Sequence, residues 1–214
     1  APEVLEQDIT ADWLVLGGGF AGLAAARRLS QLHPDAHIVL LEARRIGEGP
    51  AGRNSGFMID LPHDLASHDY GGALETDLAQ TKANRAGIDF AADMAAAFGL
   101  SDEVFIRSGQ INAAASERGH RHNTDYARHL SKMGEACKML DAGQMRDLTG
   151  TSYYRSGLYT PGAAMIQPAM FVRGVAAGLR SNRVKVYETT PVVALQRTGD
   201  WVAETPKGMV RATK

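Results

Sequence analysis

The chain of 214 residues has one cysteine, Cys137, so it has no intramolecular disulfide framework and a reducing compartment is expected. Neither sign of charge dominates: 23 Lys and Arg stand against 24 Asp and Glu, a formal net charge of -1. Without a basic block, nucleic acid is not expected as a partner. No apolar run reaches the ~18 residues that a membrane-crossing helix needs. The stretch 13–26 comes nearest, but glycines interrupt it, and Glu3, Glu6, Asp8 and Asp12 precede it where a signal segment would be basic. No membrane span is expected, and the expected location is the cytoplasm. Internal repeats and low-complexity segments are also missing. The length suffices for one large domain or two smaller ones with cores of their own.

What the chain does have begins at Asp12. Residues 13–16 form a short apolar run of strand type, followed at once by Gly17, Gly19 and Gly22 in G-x-G-x-x-G spacing. Leu23, Ala26, Leu29 and Leu32 then recur at helical intervals, and 37–41 reads as a second buried strand ending in Glu42. Each part has a physical purpose. Gly17 permits the tight turn, Gly19 lets backbone amides approach a pyrophosphate, and Gly22 lets helix and strand pack closely. Phosphates then sit at a helix N-terminus, where unpaired N–H groups and the helix dipole favour negative charge. Glu42 lies twenty residues after Gly22, where an acid is expected to hold ribose hydroxyls. A carboxylate there disfavours the 2′-phosphate of NADP, although Arg44 and Arg45 follow directly. These residues leave both FAD and NAD open, and an α/β crossover with a glycine-rich turn is the ligand-free alternative.

Further along, 74–98 carries apolar residues at helical spacing with Gly99 as its stop, and 103–115 predicts one or two strands around Gly109. A polar surface helix is expected over 118–140, with Cys137 as a small buried apolar residue in it and His120, His122 and His129 solvated. Strand character returns over 156–166, turning at Pro161-Gly162. Pro168 opens a helix to about residue 179, and 184–188 is a strand. A three-strand meander follows over 192–195, 201–204 and 209–212. Residues 1–11 read as a polar lead-in. The last strand stops without a closing element, which points to a fragment.

Together these segments resemble the FAD-dependent D-amino-acid oxidase and glycine oxidase family, of which they match the N-terminal part. The resemblance rests on Gly17-Gly-Gly-Phe-Ala-Gly22 with Glu42, and on Ile46-Gly47-Glu-Gly-Pro-Ala-Gly-Arg53-Asn54-Ser55-Gly56-Phe57. Ser108-Gly109-Gln-Ile, Leu158-Tyr-Thr-Pro161, Gln167-Pro168 and Thr190-Pro-Val-Val193-Ala-Leu195 extend it through almost the whole chain.

The resemblance implies an α/β fold, a Rossmann-like FAD-binding domain with an interposed, incomplete α+β substrate domain. Residues 1–100 and 167–214 would belong to the FAD domain and 101–166 to the substrate domain. It also implies FAD rather than NAD. Cofactor contacts would come from Gly17, Gly19, Phe20, Ala21, Gly22, Glu42, Ala43, Arg44, Arg45, Gly52, Arg53, Asn54, Ser55, Gly56 and the backbone of Val193. Arg53 would offset phosphate or reduced-flavin charge, and Asn54 and Ser55 would bond ring heteroatoms. Relatives with a histidine-linked flavin carry that histidine near Arg53, so the FAD is expected to be non-covalent.

The implied activity is oxidation of a small amino acid or secondary amine, by hydride transfer from the carbon next to nitrogen to flavin N5, giving an imine. No nucleophile or acid–base pair is needed for this, because the cofactor carries the difficult chemistry. The family's residues for the substrate carboxylate and for oxygen lie beyond the point matching Lys214. No catalytic side chain is therefore assigned, with His63 a weak candidate for a substrate contact. The alternatives are a non-catalytic FAD-binding or assembly subunit whose second chain supplies the rest, and an NAD-dependent dehydrogenase.

Other patterns carry less. Asp60, His63, Asp64, His68 and Asp69 fit no metal-ligand spacing, so no metal is expected. In Gly52-Arg-Asn-Ser55-Gly56 the serine is one place late for a G-x-S-x-G elbow, which excludes that hydrolase motif. Tyr153-Tyr154 would line a substrate pocket or simply pack a strand.

Overall fold

The computed structural model describes residues 3–62, 74–181 and 183–214. Strands run over Ile9–Ala11 (β1), Trp13–Leu16 (β2), Ile38–Leu41 (β3), Phe57–Met58 (β4), Phe105–Ile106 (β5), Gln110–Ala114 (β6) and Lys138–Leu140 (β7). Ser156–Thr160 (β8), Ala164–Ile166 (β9), Val184–Tyr187 (β10), Ala194–Thr198 (β11), Asp200–Thr205 (β12) and Gly208–Ala212 (β13) follow. The helices are Phe20–Leu32 (α1), Leu74–Ala97 (α2), Glu117–Met133 (α3), Ala142–Thr149 (α4) and Pro168–Leu179 (α5).

The chain divides into two compact units. The first comprises Ala1–Gly56, Met94–Val104 and Gln167–Lys214, and the second Phe57–Asp93 and Phe105–Ile166. Residues 57–93, which the sequence reading assigned to the first domain, fall with the second unit.

In the first unit β2, β3 and β10 form a parallel sheet in the order β10-β3-β2. All four residues of the central strand β3 are buried, which is why it is a continuous apolar run with no alternation. A second sheet has the order β1-β13-β12-β11, with the β11–β13 meander antiparallel and β1 parallel to β13. Val39, Leu41 and Tyr187 of the parallel sheet share one buried core with Leu5 and with Ala203 and Val210 of the meander. At ~1.5–3 kcal/mol for each large buried side chain, this core is a main stabiliser of the unit. The segment read as a polar lead-in is therefore structural: Leu5 is buried, β1 pairs with β13, and the Glu3 carbonyl accepts the Glu188 N–H.

The second unit holds two antiparallel sheets of order β4-β9-β5 and β6-β8-β7. Helix α3 begins under a Ser116 cap and ends at Gly134, whose left-handed backbone (φ 76) places its N–H on the Leu130 and Ser131 carbonyls. The expected helix over 118–140 thus stops at Met133. Cys137 precedes β7, and 138–140 is strand. The helix is not a plain surface helix either. Asn123, Tyr126, Leu130 and Met133 are buried at helical spacing, and the last three pack with Leu61 and Leu158. Helix α4, absent from the sequence reading, is set by a capping box in which Asp141 and Gln144 bond each other's backbone N–H.

A fully buried carboxylate, Asp60, is paired with Arg85 at 2.9 Å, and Arg85 reaches Glu135 at 2.6 Å. The hydrogen bond to Glu135, then that to Asp60, raises the Arg85 guanidinium above its ordinary value despite partial burial. Among the described residues, no helix is long and apolar enough to cross a membrane.

Candidate functional site

At the end of β2 the chain turns sharply at Gly17 (φ 98), whose N–H donates to the Leu41 carbonyl at 2.8 Å. Gly22 packs directly onto this turn, since a Cβ there would lie 1.9 Å from the Gly17 carbonyl oxygen. Helix α1 starts at Phe20 with Gly19 at its N-cap, no side-chain cap and no acidic residue in its first turn. Its leading N–H groups and the positive end of its dipole therefore suit an anion. The Glu42 carboxylate closes the same corner: one oxygen accepts the Gly18 N–H at 2.7 Å, the other the Arg44 N–H at 2.9 Å.

A second loop forms the facing wall. Pro50–Gly52 is a short 3-10 turn, and Gly52 lies so close to the Gly47 carbonyl that any side chain there would collide with it. Arg53 donates to the Glu48 carbonyl. Asn54 ties the loop together. Its Nδ2 donates to the Pro50 and Ala51 carbonyls at 3.2 and 3.0 Å, and its Oδ1 accepts the Gly56 N–H at 2.9 Å.

Between these walls lies a cleft of about 840 Å³. Of the residues expected to contact a cofactor, Gly17, Gly19, Phe20, Ala21, Gly22, Glu42, Ala43, Arg44, Arg45 and Arg53 line it. Three guanidinium groups against one carboxylate favour a ligand with about two negative charges, as a pyrophosphate has. The volume falls within the usual range for cofactor sites. Ungapped glycine contacts, uncapped helix amides and this charge set thus fit a dinucleotide.

The family described as FAD dependent oxidoreductase (DAO) matches residues 12–213. The chain belongs to that family. This oxidoreductase family is FAD-dependent, and the chain has its mixed α/β fold. Gamma-glutamylputrescine oxidoreductase of Escherichia coli K12 is 27% identical over 98% of this chain and 49% of its own length. The probable oxidoreductase OrdL of Rhizobium meliloti is 26% identical over 95% of this chain and 48% of its own. The chain therefore spans about half the length of the curated relatives it matches. Glycine oxidase from Geobacillus kaustophilus superposes with a TM-score of 0.76 at 19% identity, over 95% of this chain and 54% of that one.

Gly52, Asn54, Ser55, Gly56 and Val193 are not among the residues lining the cleft. Asn54 has its amide engaged by backbone, while Gly52 acts through its contact with Gly47. Val193 is 66% exposed, and its N–H donates to the Glu204 carbonyl at 2.8 Å. Conversely Leu16, Gly18, Gly47, Gly49 and Pro50 line the cleft without having been singled out, and Ala51, where the loop expected to run past the pyrophosphate begins, lines it too. For Gly47 to Ala51 the signal was the Gly-Glu-Gly-Pro-Ala run itself, in which Gly47 takes a left-handed backbone (φ 86).

The second unit has a cleft of about 690 Å³. Phe57, Ile59, Ile111 and Met165 give it exposed apolar walls, with Tyr159 and His122 as the titratable side chains among its lining residues. Gln110 and Asn112 also line it, and their buried side-chain amide nitrogens have no acceptor among the described residues. Asn123 donates to the Asn112 carbonyl at 2.6 Å.

His63, Asp64, His68 and Asp69 lie outside the described residues, while Asp60 serves the pair with Arg85. Two histidines expected to be solvated are engaged, His120 with Ser156 at 2.9 Å and His129 with Asp77 at 2.7 Å. Tyr153 and Tyr154 pack edge to face in the loop before β8 and are not among the residues lining either cleft. Burial pushes the Cys137 thiol up, which disfavours the reactive thiolate.

Proposed function

We propose that the protein is an FAD-dependent oxidoreductase acting on a small amine or amino acid, with FAD held non-covalently in the first unit. The observation that carries this reading is the cleft in which the glycine turn, the uncapped start of α1, Glu42 and three arginines meet. The N–H groups at Gly19–Gly22 and the Arg44, Arg45 and Arg53 guanidiniums would hold the pyrophosphate, and Glu42 would accept the ribose hydroxyls. Glu42 stands where a 2′-phosphate would be repelled. When bound, FAD supplies a two-electron acceptor for the hydride leaving the carbon next to nitrogen, the amine becoming an imine.

In this reading the first unit is the FAD domain and the second the substrate domain. The apolar walls of the second cleft would exclude water and take the non-reacting part of the substrate. The similarity to gamma-glutamylputrescine oxidoreductase and to glycine oxidase supports an amine or amino acid as substrate class.

The visible absorption spectrum of the purified chain, repeated on the supernatant after acid precipitation, tests the reading. Flavin bands that appear in the supernatant are expected. Bands retained by the pellet would overturn non-covalent attachment, and a chain that stays colourless after incubation with FAD would overturn the cofactor site.

A further inference from the structure

The cleft wall at 43–47 is held from far along the chain. Ile46 is buried, and both of its backbone groups are bound by side chains of the last third of the sequence. Its N–H donates to Glu188 Oε1 at 2.7 Å, and its carbonyl accepts from Arg173 Nε at 3.1 Å. The other Glu188 oxygen is paired with Arg180 at 2.8 Å, so the carboxylate is fixed in orientation and 13% exposed. The residues after it extend the contact. The Thr189 N–H donates to the Arg44 carbonyl at 3.0 Å and the Thr190 N–H to the Glu42 carbonyl at 2.9 Å. Thr189 has a left-handed backbone (φ 51), unfavourable for a β-branched residue, which persists only where surrounding contacts enforce it.

We infer that Glu188 is a positioning residue for cofactor binding, the centre of a strap that holds the Glu42–Gly47 wall in the shape the cleft requires. It touches the backbone of the wall and does not line the cleft itself. Without its acceptor, the buried Ile46 N–H is left unpaired, and the wall lowers its energy by opening to water. The backbone that carries Arg44 and Arg45 is then no longer held beside the helix N-terminus. The cofactor part of this role rests on the FAD reading above; the strap itself does not.

Two substitutions separate reach from charge. Glu188→Gln keeps an oxygen within reach of the Ile46 N–H and loses the charge and the acceptor for Arg180, whereas Glu188→Asp keeps the charge and is one carbon too short. Backbone hydrogen exchange of the full chain without ligand is measured first. The Ile46 amide should exchange roughly tenfold faster or more in Glu188→Asp, with the change confined to the wall, and within about threefold of wild type in Glu188→Gln. FAD titration should follow the same order, with roughly tenfold weaker binding in Glu188→Asp only. Wild-type exchange in Glu188→Asp, equal acceleration in both variants, or acceleration spread over the whole unit would overturn the strap. Altered exchange with unaltered FAD affinity would overturn its role in binding. A wild-type chain that binds no FAD would overturn the cofactor reading, while exchange would still decide the strap.

Discussion

A methyl group at position 22 would lie 1.9 Å from the Gly17 carbonyl oxygen, whereas one at position 49 meets nothing within 4 Å. Both glycines line the same cleft, so the pair separates close packing from mere glycine content. Gly22→Ala should destabilise the chain by about 2–3 kcal/mol in a urea titration, because backbone atoms cannot yield as a side-chain end can, and should abolish FAD binding. Gly49→Ala should stay within about 0.5 kcal/mol of wild type and retain binding. Equal effects at the two sites would show that the close approach at Gly22 does not matter. Such residues were legible because their chemistry is local: Gly17, Gly19, Gly22 and Glu42 sit at fixed offsets around one strand–turn–helix. Ile46 was not, since Glu188 and Arg173 reach it from 142 and 127 residues away. The loop bonds of Asn54 were hidden for a related reason. A polar side chain in a loop looks free in sequence, and only the fold shows the Pro50 and Ala51 carbonyls beside it.

Helix α5 carries its glycines, Gly174 and Gly178, one turn apart, and they receive Leu100 and Phe98 within the first unit. Alanine is the better helix former by about 1 kcal/mol, so propensity alone would make Gly178→Ala stabilising. A Cβ there would sit 2.3 Å from the Phe98 ring and 2.8 Å from its Cβ, however, so rotating the ring does not relieve the clash. Overpacking of this kind costs about 1–3 kcal/mol, and after the propensity gain a net loss of up to about 2 kcal/mol is expected from urea melts. A gain in stability would mean that the two segments pack less closely than described. The helices with long periodic patterns, α1, α2 and α5, were readable from sequence. The span after α3 was misread because periodicity continued past Gly134, where the left-handed backbone ends the helix. Helix α4 was missed although Asp141 and Gln144 stand in capping-box spacing, because only eight residues follow the cap.

Each unit has a core of its own, around Val39, Leu41 and Val210 in the first and around Tyr126, Leu130 and Leu158 in the second. The glycine cleft is built entirely from residues 16–53, all within the first unit. On the FAD reading, binding free energy therefore enters the molecule there. A ligand that binds only the folded chain stabilises it by RT ln(1 + [L]/Kd), which at a hundredfold excess over Kd amounts to about 2.7 kcal/mol. FAD at that excess should raise the urea midpoint accordingly, and sub-global hydrogen exchange should slow in Ala1–Gly56 and Gln167–Lys214 while that of Phe105–Ile166 stays unchanged. NAD at the same concentration should do neither, because the cleft belongs to an FAD-dependent family. Protection gained mainly in Phe105–Ile166 would instead place the nucleotide in the second cleft, where apolar walls alternate with neutral amides and no arginine is among the lining residues to meet a phosphate. That contrast in charge between the two clefts is the physical reason for expecting the first outcome: a pyrophosphate needs positive groups close by, and of these two clefts the first has arginines among its lining residues.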